Sequence, residues 1–221
     1  SWKLRSPAAS SMGGRRSLGG LLTFYWLLAL TSSITIFGRP LISAALARSH
    51  LPELSLATWP VVWSTTFLFC GPLVMLQQIV IGNSEPASQR RTTGKFTLGV
   101  ALVVGALLLT FSLSPISHWY LTNIVGVSGA VLDLAVSGLR FAGLLPLFYA
   151  AKHWFYGLLI KQRKTLSVNA GAVINLVFLG GLVFTASALT DITGVYLVLG
   201  GLYTGLLAEA TLLRTFSAGV L

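Results

Sequence analysis

Four charged side chains sit inside runs of sequence too apolar to suit them: Arg39, Asp133, Arg140 and Glu209. In "SGLRFAGLLPLFYAAKHW" the guanidinium of Arg140 interrupts an otherwise greasy segment. An unpaired charge at the centre of a bilayer costs at least ~2.5 kcal/mol, so such residues normally face a protein interior or a wet cavity. The planar fork of a guanidinium suits a carboxylate or a phosphate. The chemistry open to these types is therefore charge recognition inside a membrane, as anion binding or as ion pairing between helices. Covalent chemistry has no support. A protease acting within a membrane would need paired aspartates, a Ser–His dyad or a zinc motif in its helices, and none is found. The chain reads as no enzyme, with no metal-ligand cluster and no pattern that names a cofactor.

The elements that must position these charges follow from composition. Of 221 residues, 54% are hydrophobic and 9% charged, with mean hydropathy +0.81. A soluble domain carries about a quarter charged residues, so this chain cannot cover a water-facing surface. The class is an all-α, polytopic integral membrane protein. A spanning helix needs ~20 mostly apolar residues. Such runs lie at about 18–46, 56–82, 96–114, 129–154, 166–188 and 192–214, which predicts six transmembrane helices. The organisation is a basic segment over 1–17, a six-helix bundle over 18–214 and a tail over 215–221. The basic segment has no acidic residue and several Ser and Arg; it reads as an organelle-targeting stretch or, more simply, as a flank holding the first helix end in the cytoplasm.

The formal charge of +10 raises the question of nucleic acid. The basic residues lie in short clusters between apolar runs rather than on one soluble face, so no nucleic-acid partner is expected. They set orientation instead. Lys3, Arg5, Arg15, Arg16, Arg90, Arg91, Lys95, Lys161, Arg163, Lys164 and Arg214 fall on one side and Arg48 on the other, a bias of 11 to 1. Six helices with both termini cytoplasmic satisfy the positive-inside rule in every loop. The bacterial cytoplasmic (inner) membrane is the expected location.

Depth along the helices brings the charges together. Asp133 lies ~6 Å and Arg140 ~16 Å from the outer start of the fourth span, at 1.5 Å per residue. Seven residues apart, they share a face, with Ser137 between them. Arg39 lies ~30 Å from the inner start of the first span, a depth comparable to Asp133. An Arg39–Asp133 contact is expected, with Arg140 deeper in the same cavity near the midplane and facing the bundle interior. The alternative is an ion pair that only fixes packing. Gly201 and Gly205 form a GxxxG spacing that lets helices approach closely, and Glu209 continues the stripe. Glu209 is expected to snorkel toward Arg214 or the basic loops.

The remaining signals are weaker. Pro60, Pro72 and Pro146 fall within helices and invite kinks. His118, Trp119 and Tyr120 read as an interfacial belt. His153 is a weak pigment-ligand candidate, more simply an interfacial residue. Gln77, Gln78, Asn169 and Asn175 read as polar contacts between helices, and Cys70 as inert packing.

The run "FYWLLALTSSITIFGRPLISAALARS" is similar to the opening helix of a half-module in the multidrug/oligosaccharidyl-lipid/polysaccharide exporter superfamily. It looks closest to the second half of the progressive ankylosis transporter family. The resemblance continues through "IVGVSGAVLDLAVSGLRFAGLLPL", "FYGLLIKQRKTLSVNAGAVINLV" and "GLLAEATLLR". It implies two six-helix bundles around a central cavity and export of organic or phosphorylated anions or amphiphiles. By matching position, Arg39, Asp133, Arg140 and Glu209 fall where that family places charged residues. This chain carries half of those helices. Two copies would pair, a second chain would complete the cavity, or the descendant has given up transport. Two functions follow: a half-size transporter or flippase needing a second module, and an accessory or scaffold subunit of a larger membrane complex. The partners are membrane lipids and either a second copy of the chain or other membrane subunits.

Overall fold

The structure, a computed structural model, describes residues 18–84 and 87–218. The basic segment 1–17 and residues 219–221 of the expected tail lie outside the described residues. Among the described residues there is no β-strand. The chain forms α1 (Leu18–Leu46), α2 (Pro52–Asn83), α3 (Ala87–Leu113), the short α4 (Pro115–Tyr120), α5 (Gly129–Ala142), α6 (Leu145–Lys161), α7 (Thr165–Leu189) and α8 (Gly194–Ser217). Five of these are each long and apolar enough to cross a membrane, and the α5–α6 pair makes a sixth when taken as one bent span. The chain is an integral membrane protein.

The expected fourth helix is broken. α5 and α6 meet at an angle of 49° across Gly143 and Leu144. Pro146, at the start of α6, has no N–H to continue the ladder toward Ala142. The Tyr203 hydroxyl donates to the Phe141 carbonyl at 2.7 Å, satisfying one acceptor beside the break. Pro60 and Pro72, by contrast, lie inside an unbroken α2. α8 also runs past the expected end of the bundle, to Ser217.

Turns at each end hold the bundle. At one end the α1–α2 and α7–α8 connections meet: Gly194 N–H donates to Ser55 Oγ at 3.1 Å and His50 pairs with Thr193. The other end carries Arg90, Arg91, Lys95, Lys161, Arg163, Lys164 and Arg214, and is called the basic end below. There the Lys164 ammonium donates to the Phe216 carbonyl at 3.4 Å, joining the start of α7 to the end of α8. Between α3 and α5 the chain forms α4 and a π turn over Leu121–Val125. His118 and Trp119 are exposed there, and the Tyr120 ring packs edge-on against Phe111.

The centre of the bundle is a leucine and valine core drawn from most helices, including Leu46, Val62, Leu139, Leu145 and Val198. In lipid the apolar tails solvate such side chains as well as a neighbour does, so close packing must do more of the work. Small residues supply it. α7 and α8 pack most extensively, and α8 is the most buried of the spans. A Cβ on Gly201 would come within 2.7 Å of Val183, and one on Gly205 within 2.8 Å of the Asn175 carbonyl. We expect Gly205→Ala to destabilise the fold by ~1–3 kcal/mol through overpacking against the α7 backbone. Thermal unfolding in detergent reads this as a lowered midpoint. Gly181→Ala, with nothing within 4 Å of the added methyl, should leave the midpoint unchanged or raise it.

Candidate functional site

Two polar clusters include the charged residues of the helices, one inside the bundle and one on its surface. The interior cluster centres on Glu209, which is fully buried on α8. Its position, eight residues before the end of the helix, puts it ~12 Å below the basic end. Lys152 on α6 lies 3.2 Å from Oε2, and Asn175 on α7 donates to the same oxygen at 2.9 Å. The Tyr156 hydroxyl donates to Oε1. Both carboxylate oxygens are therefore satisfied, and by side chains from two other helices. The Lys152 ammonium also lies 5.1 Å from the centre of the Tyr156 ring, where the negative face of the aromatic helps hold it.

The cluster extends toward α2. His153 Nδ1 lies 3.3 Å from Gln77 Oε1, and the imidazole packs between the Tyr149 and Tyr156 rings. His153 is buried, so its expected interfacial position does not hold. The expected snorkelling of Glu209 toward Arg214 is also corrected. Lys152 reaches the carboxylate from inside the bundle, and Arg214 is exposed.

The surface cluster follows α5. Asp133 and Arg140 are exposed on the outside of the bundle, with half-buried Ser137 between them. Ser137 Oγ donates to the Asp133 carbonyl at 2.9 Å and accepts from the Tyr196 hydroxyl at 2.8 Å. Phe141 packs edge-on against Tyr196 and Tyr203, so two tyrosines of α8 border the stripe. Arg140 does not point into the bundle interior, as depth alone had implied. Its Nε donates to the Ser112 carbonyl at 3.3 Å, in the last turn of α3. Carbonyls there lack intrahelical partners, and a cation at a helix C-terminus is favourable.

The expected Arg39–Asp133 contact is absent: among the described residues no ion pair joins them. α1 packs chiefly along α7, which carries the exposed Arg39 away from α5. Similar depth does not set the direction a helix faces around the bundle. The structure thus brings together Asp133, Ser137 and Arg140, keeps Arg39 apart, and places Gly201, Gly205 and Glu209 against α7 and α6. Lys152, Tyr156, Tyr196 and Tyr203 were not foreseen. The spacing of Lys152 and Tyr156 by four residues was the available signal, since it sets both on one helix face.

Removing one member of the buried pair isolates a charge. We expect Lys152→Met to lower stability by ~3–5 kcal/mol, since the buried Glu209 carboxylate loses its counter-ion. Adding Glu209→Gln should restore most of that loss. Chemical unfolding of the single and double variants in one detergent measures the difference. An equal loss in the double variant would assign the stability to hydrogen bonding rather than charge.

No protein-family model and no solved structure matches the chain.

Proposed function

We propose that the chain is one half-module of a two-module membrane transporter or flippase, moving an organic or phosphorylated anion or an amphiphile. One observation carries this reading: Asp133 and Arg140 share the outward face of α5 on a bundle whose exposed surface is otherwise rich in Leu, Val and Phe. The Ser112 contact sets the Arg140 guanidinium level with the last turn of α3 rather than at the expected midplane, and a charge that faces hydrocarbon is costly, so the stripe calls for water or protein beside it. A second module, as another copy or a different chain, would enclose the stripe in a cavity. The guanidinium, with only its Nε engaged at Ser112, would then offer its terminal N–H groups to an anionic solute. The broken α5–α6 span bordering the stripe is of the kind that lines substrate paths. In this reading the basic end and both termini face the cytoplasm, following the positive-inside rule. The membrane is the inner membrane of a bacterium.

A second reading has its own observation. Arg140 already holds the end of α3 through Ser112, a packing role that needs no solute. A non-transporting accessory subunit, with the stripe pressed against another protein, accounts for that equally.

Thiol labelling separates the two, because the only cysteine, Cys70, is buried and silent. Asp133→Cys in the native membrane should react with a charged, water-soluble thiol reagent, while Leu102→Cys on the exposed apolar face of α3 should not. Solute flux in vesicles should then be lost in Arg140→Gln with the fold retained. An unreactive Asp133→Cys within a large hetero-complex would favour the subunit reading, and unchanged flux in Arg140→Gln would remove the stripe from the path.

A further inference from the structure

A further feature lies at the basic end. An open groove of about 470 Å³ runs between α2 and α3. Its mouth is polar, with Asn83, Ser88 and Gln89, and its foot is apolar, with Ile79 and Phe96. From Ser88 to Phe96 is eight residues along α3, a rise of ~12 Å. The headgroup zone of one leaflet is ~6 Å deep, so a groove of this length spans that zone and enters the hydrocarbon. Arg91 and Lys95 are exposed on the adjoining strip of α3, three residues beyond Ser88 and Thr92. Among the described residues neither has a carboxylate partner. The Thr93 hydroxyl donates to the carbonyls of Asn83 and Gln89, at 3.0 and 2.9 Å, so the end of α2 and the start of α3 are tied beneath the mouth.

We infer that this groove binds one anionic phospholipid, its phosphate held beside the groove by Arg91 and by Lys95, whose stem starts level with Phe96 and leans toward the N-terminus of α3, with an acyl chain laid against Ile79 and Phe96. The order of polarity along the groove is that of the lipid itself, and the two cations supply the complementary charge. The turn between α6 and α7 is a poorer site, because Lys164 is engaged with the Phe216 carbonyl. The inference does not depend on what the protein transports, or on whether it transports at all.

The test uses the full chain in nanodiscs of phosphatidylcholine and phosphatidylglycerol, followed by native mass spectrometry of the lipid retained after gentle release. One phosphatidylglycerol should persist in preference to phosphatidylcholine. Arg91→Gln with Lys95→Gln should weaken its retention roughly thirtyfold, which is ~2 kcal/mol at 1.4 kcal/mol per decade. Lys161→Gln with Lys164→Gln removes the same charge elsewhere and should leave retention unchanged. Circular dichroism should give the same helicity for both variants. Equal loss from the two double variants would mean diffuse attraction and overturn the site. So would the absence of lipid preference in the unaltered chain, or displacement of the lipid by inorganic phosphate, which would make the groove a site for soluble anions.

Discussion

A carboxylate with no access to water must have its charge and both oxygens satisfied from within, and Glu209 is in that position. Lys152 and Tyr156 reach it from α6, and Asn175 from α7. The distances leave little freedom. Asn175 can donate at 2.9 Å only while α7 and α8 lie close together, and their approach depends on Gly205 having no side chain. Small residues and the buried charge are therefore one arrangement. The glycine permits the contact, and the hydrogen bond makes a looser contact costly.

That arrangement bears on the rest of the bundle through α6. With Lys152 and Tyr156 held toward α8, the opposite side of α6 packs on α2, where a Cβ on Gly157 would meet Val80 at 2.6 Å. Above the cluster the chain bends by 49° into α5. The bend separates two roles: α6 carries charge that is paired and enclosed, and α5 carries charge that faces outward. Arg140 still has a partner in the Ser112 carbonyl, so the stripe is anchored at one end and open along the rest. Interior charge of the first kind serves packing. Outward charge of the second kind is the feature on which the proposed function rests.

Much of the fold was legible in residue order. The apolar runs marked the cores of the spans, because the need for ~20 residues in hydrocarbon acts on each helix by itself. But α3 begins at Ala87, nine residues before the expected start, and α6 continues to Lys161, seven past the expected end. The break at Gly143 and Leu144 was foreshadowed by Pro146, whose missing N–H is a local property. Pro60 and Pro72 carry the same signal without a break, so the bend also depends on surroundings such as the Tyr203 hydroxyl at Phe141. Less of the polar chemistry was legible. Asp133, Ser137 and Arg140 could be grouped because they share one helix face. Arg39 was grouped with them wrongly, because the contact required knowledge of how α1 and α5 are disposed.

The sequence by itself determined the class of protein, where its long apolar segments lie, and which residues of a single helix share a face. These depend on local hydropathy and on the helical repeat, which neighbours do not alter. The tertiary structure alone decided that Glu209 pairs with Lys152 rather than Arg214, that Arg140 turns outward to the end of α3, and that α1 lies along α7. Distance along one straight helix can be counted from its sequence. The rotation of a helix about its axis, and the identity of its neighbours, are set by packing among residues far apart in sequence.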